Sequence, residues 1–162
     1  MRARAVVSGT VSGVVCAGVV LACGGAVAAP GREPVPEADL AFHGVAQLDG
    51  GVVDLRLTPW NGGPAAVPDA TVRLRWSVPL AAAQQLPARC VREDERTLLC
   101  ATGAVGVDAA GELLRVPVRL GERSSEVTLE VDTAWAGGAV DRDRSNDRLK
   151  VLVLDTGDAY TF

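Results

Sequence analysis

The sequence is poor in the residues that carry most protein chemistry. Its 162 residues include one histidine (His43), one lysine (Lys150) and one tyrosine, and aromatics make up only 4%. A single histidine excludes the multi-histidine zinc centres, and two cysteines beside His43 do not complete a ligand set either. No serine or cysteine nucleophile can be matched to it as a triad partner. Cationic surface is short as well. The net charge is −4, and without residues 1–28, which hold Arg2 and Arg4 but no acid, 14 basic residues face 20 acidic ones, a net charge of −6. An acidic chain lacks the basic footprint that displaces counterions from nucleic acid, and it is not drawn to an anionic membrane surface. No segment repeats apolar residues at helical spacing over any length, which argues against a βαβ enzyme fold.

What the chain does have begins at its N-terminus. Arg2 and Arg4 precede an apolar, small-residue run from Ala5 to Ala22, and Ala26-Val27-Ala28 follows a Gly24-Gly25 break. This is the layout of a secretory signal peptide, residues 1–28, with cleavage expected after Ala28. The run is short for a membrane span and is interrupted by Ser8, Gly9, Thr10 and Ser12. Val20-Leu21-Ala22-Cys23 also has the form of a bacterial lipobox. Cys23 would then carry lipid and tether the domain, the one route by which a membrane would be a partner. Residues 29–37, with Pro30, Pro34 and Pro36, are expected to form an extended linker.

From residue 38 to 162 the pattern turns to period two, the mark of half-buried strands. Leu40 and Phe42 share a face; so do Val53, Leu55 and Leu57; so do Val72, Leu74, Trp76 and Val78. Leu114 to Leu120 alternates around Pro117, which predicts an edge strand or a bulge. Val127, Leu129, Val131 and Trp135 form a further inward set. Leu149 to Leu154 is nearly continuous and apolar, as expected of a strand covered on both faces or lying at an interface. Leu80 to Gln85 could form a single helical turn. Turn signals fall at Asp49-Gly50-Gly51 and at Asn61-Gly62-Gly63-Pro64, where Asn61 would satisfy backbone groups and the glycines would take positive φ. About seven short strands punctuated in this way predict an all-β protein, an immunoglobulin-like antiparallel β-sandwich. Export leaves two cysteines in an oxidising space, so Cys90 and Cys100 are expected to form its one disulfide.

These features carry a resemblance. Ala38 to Phe42, the strand Val52 to Leu57, Asn61-Gly62-Gly63-Pro64, the pair Cys90 and Cys100, and the turn Asp141, Asp143, Asn146, Asp147 follow one another as in the bacterial cell-surface "conserved repeat" domain. Asp147 stands where that family has a second Asn, and Trp60 precedes its turn. The resemblance spans residues 38 to 154. It implies an immunoglobulin-like module of secreted and wall-associated proteins and supplies no catalytic residues.

Candidate sites are few. Asp141, Asp143, Asn146 and Asp147 begin like a calcium loop, but no glycine takes the sixth position and Leu152 stands where a bidentate carboxylate belongs. An Asx-type turn, with side chains bonding nearby N–H groups, accounts for the same residues. His43 falls on the outer face of its strand. Arg73, Arg75, Arg115 and Arg119 point outward, as do Glu126, Glu130 and Asp132, and would make cross-strand contacts wherever their strands pair. Trp60, placed in a loop, is the candidate ligand contact, since an exposed tryptophan stacks on sugars or anchors proteins. The expected function is therefore a non-catalytic module, secreted or anchored through Cys23, with a structural or binding role. Its partner would be an extracellular protein or a cell-wall glycan, with no cofactor and no nucleic acid. The alternative is a secreted hydrolase, or a protease inhibitor presenting the Arg92–Arg96 arm.

Overall fold

The computed structural model describes residues 34–162; the expected signal peptide, Cys23 and most of the linker lie outside the described residues. Among these the protein is all-β, with one disulfide and no helix. The twelve strands are β1 (Glu37–Ala38), β2 (Leu40–Asp49), β3 (Val52–Asn61), β4 (Thr71–Trp76), β5 (Cys90–Arg92), β6 (Thr97–Ala101), β7 (Ala109–Ala110), β8 (Leu114–Arg119), β9 (Glu126–Trp135), β10 (Val140–Asp141), β11 (Arg148–Leu154) and β12 (Ala159–Thr161). Seven of them have five or more residues; five of these (β2, β3, β4, β8 and β9) are the alternating segments of the sequence, and β11 is the nearly continuous apolar one. Glu37 already pairs with Val140, so ordered structure reaches one residue into the expected linker.

Two antiparallel sheets form the sandwich. One runs β12-β2-β3, with β8 and β7 sharing the far side of β3; the other runs β11-β9-β4-β6-β5. The tiny β1-β10 pair is parallel. Alternation decides which side chains go inside. Leu48, Val53, Leu55, Leu57, Leu74, Trp76, Leu98, Leu129 and Val153 are essentially without exposure in one shared core. Each such side chain contributes about 1.5–3 kcal/mol by leaving water. The β2-β3 hairpin closes in two residues, Gly50 and Gly51, both at positive φ (56° and 81°). This is the twist-matched two-residue turn, whose positive φ glycine adopts without strain.

Several expectations are corrected. Leu80 to Gln85 makes no helical turn: Leu80 bridges Leu120, and the Gln84 amide is spent on the backbone of Arg119. Strand β11 is an edge strand with one face open, not covered on both. Trp135 is 52% exposed. A bulge in β9 skips Ala134, so Thr133 lies opposite Val72 and Trp135 opposite Thr71. Paired residues share a face, and the outward Thr71 carries Trp135 out with it. Trp76, in contrast, packs in the cluster that holds the disulfide.

Candidate functional site

Two of the turn signals meet at one end of the sandwich. Asn61, the last residue of β3, is completely buried. Its Oδ1 accepts from the amides of Asp39 (3.1 Å) and Gly63 (3.0 Å), and its Nδ2 donates to the carbonyls of Ala65 (2.8 Å) and Gly106 (3.1 Å). All four hydrogen bonds of the amide are made, as its burial requires. Neither Gly62 nor Gly63 takes positive φ, contrary to expectation. Gly63 is needed for another reason: a Cβ there would lie 2.5–2.6 Å from the backbone of Ala38 and Asp39.

The acidic turn reaches the same place from the other side. Asp141 Oδ2 accepts from the Leu40 amide at 2.9 Å across 101 residues, while its Oδ1 accepts from Asp143 N at 3.1 Å. Asp143 Oδ1 accepts from the amide and hydroxyl of Ser145. The hydroxyl bond is the main reason that its pKa is lowered. Asn146 Nδ2 donates to Asp39 Oδ1 at 2.7 Å. Asp39 thus joins the two motifs: its amide binds Asn61, its carbonyl accepts from Gly62, and its carboxylate holds Asn146.

Asp147 behaves differently. It has no exposure, and burial raises its pKa, countered by Thr133 and the Arg144 guanidinium. Arg144 Nε donates to Oδ1 at 3.1 Å and lies 2.9 Å from Oδ2. Among the described residues no group of three or more His, Cys, Asp or Glu side chains is arranged to hold a metal ion. Asp141 and Asp143 already spend oxygens on their own turn and on Leu40.

The remaining candidates are dispersed. Cys90 and Cys100 face each other in the β5-β6 hairpin with Cα atoms 4.1 Å apart. Ala101 N donates to Arg89 O, which puts the cysteines in the adjacent non-hydrogen-bonded pair, where strands approach closest. A formed disulfide belongs to an oxidising compartment. His43 is exposed opposite Thr58. Of the expected charge pairings, Arg73–Asp132 forms on the second sheet at 3.4 Å, while Glu130 meets Lys150, also at 3.4 Å. Arg115 and Arg119 belong to the other sheet, where Arg115 faces Arg56. Trp60 lies near the end of β3 rather than in a loop, 37% exposed, between Ala41 and Ala110 on the neighbouring strands. Sequence reasoning missed Asp39, because nothing local marks an aspartate whose partners lie 22 and 107 residues away. No helix of the described residues is long and apolar enough to cross a membrane. No protein-family model, curated protein or solved structure matches the chain.

Proposed function

We propose that the chain is a non-catalytic module, secreted or held at the cell surface, with a binding role exercised through the Trp60 face and a cell-wall glycan as its ligand. The N-terminal layout and the formed disulfide support export. The immunoglobulin-like, conserved-repeat resemblance points the same way. The observation that carries the reading is how the polar residues are used. Asn61 and Asp141 give their side chains to backbone groups, Asp143 to Ser145 and Asp39 to Asn146. Trp60, in contrast, presents an indole flanked by alanines too short to cover it, the flat apolar surface on which a sugar ring stacks.

The inhibitor alternative asks for an arm whose backbone is free to pair with a protease. In the Arg92–Arg96 arm, Glu95 O accepts from Leu80 N and Arg96 O from Trp76 N. Those carbonyls are occupied, which favours the binding reading. Tryptophan fluorescence during titration with soluble peptidoglycan fragments tests it. A saturable change that persists in Trp135→Ala and vanishes in Trp60→Ala is expected; equal binding by Trp60→Ala would overturn the assignment.

A further inference from the structure

Four sheet edges end this sandwich, and three of them are blunted. Strand β5 has three residues and is held by the disulfide; β12 has three. Strand β8 carries Pro117, and Gln84 takes both the amide and the carbonyl of Arg119 with its side chain. These are the devices by which sheets avoid pairing edge to edge. Strand β11 has none of these; the one deterrent it carries is charge, Arg148 and Lys150 on its outer face. It runs seven residues without proline, glycine or bulge, and among the described residues its only partner strand is β9.

Its hydrogen-bonding parity is fixed by one contact. Asp155 N donates to Ser125 O in the continuation of the β9 register, so Leu149, Val151 and Val153 bond to β9. The amides and carbonyls of Arg148, Lys150, Leu152 and Leu154 therefore point to the open side. Their side chains lie on the outer face, where Leu152 is 50% exposed.

We infer that β11 is a self-association edge, pairing antiparallel with β11 of a second copy of this chain and continuing the five-stranded sheet across a two-fold axis. Over its full seven-residue length the strand is complementary to itself in one register. Overlapping all seven residues centres the axis on Val151 and sets Lys150 opposite Leu152 and Arg148 opposite Leu154 of the second copy. The outward-pointing groups then meet each other, and no like charges face. Sliding by two residues toward the N-terminus would put Lys150 against Lys150, a repulsive pair. Sliding by one would set the free amides against groups already bonded to β9. The inference is independent of the glycan reading.

Sedimentation of the purified full chain over a concentration series, with two substitutions at one exposed position, tests it. Leu152→Lys places a lysine opposite Lys150 twice in the dimer and is expected to weaken association roughly ten-fold or more. Leu152→Glu places a carboxylate there and is expected to preserve the dimer. Circular dichroism melting of both variants checks that the fold is intact. A wild-type chain that stays monomeric overturns the inference. So does an association that both variants leave unchanged, which would arise elsewhere, or one that both abolish, which would mark a merely apolar contact or another register.

Discussion

At Asp147 a carboxylate without exposure to water sits beside one guanidinium, that of Arg144, and close to the Asp141 charge. Desolvation outweighs the attraction, and the folded-state pKa lies above the ordinary 3.8. Between that value and the raised one, the folded state holds more protons than the unfolded chain. The stability from this group is therefore complete below pH 3.8 and is lost as pH rises through the folded pKa. Asp94 and Asp143 are shifted the other way, chiefly by hydrogen bonds from Arg96 N and the Ser145 hydroxyl, so their contribution fades only as pH falls below the ordinary carboxylate range. The two windows do not overlap. Melting temperature measured from about pH 4 to about pH 7 should fall more steeply in the wild type than in Asp147→Asn. Parallel curves would mean that Asp147 is ionised throughout.

Among the elements, the β5-β6 hairpin depends most on one covalent bond. Strand β6 packs Leu98 into the core, but β5 is a three-residue edge with Val91 exposed, so packing alone holds β5 weakly. The Cys90–Cys100 bond closes a loop with a sequence separation of 10. Replacing both cysteines by alanine should lower stability by about 2–3 kcal/mol on the loop-entropy model, read as a shift in the denaturant midpoint. A shift below ~0.5 kcal/mol would place the hairpin's stability in its packing against Trp76 and Leu80 instead. The disulfide was legible in the sequence, because it needs only two cysteines and an oxidising space. So were the strands, whose inward faces repeat every second residue and are buried as that period requires. The position of Trp135 was not. Its alternation is intact in the chain, and only the partner strand reveals the bulge that turns it outward. The Asp141 turn was legible as a turn, but its bond to Leu40 depends on how strands stack, which local pattern does not encode.

For the molecule as a whole, the contact between the two motifs closes one end of the sandwich. Strand β1 pairs with β10, Asp141 accepts from Leu40 at the start of β2, and Asp39 links Asn61 to Asn146. The first described segment is thereby tied to the loop before the penultimate strand, and the ties are made by protein groups. A structural calcium ion would have to compete for the same oxygens. Strong calcium sites leave six to eight oxygens free to converge on the ion, with charge unspent on backbone donors. Here Asp141 is bonded through both oxygens and Asp143 through one. Thermal melting in millimolar calcium and in chelator should therefore coincide. Asp141→Ala, which leaves the Leu40 and Asp143 amides without their acceptor, should cost about 1–2 kcal/mol in either medium. A melting temperature that calcium raises in the wild type but not in Asp141→Ala would reverse the assignment and make the same turn an ion site.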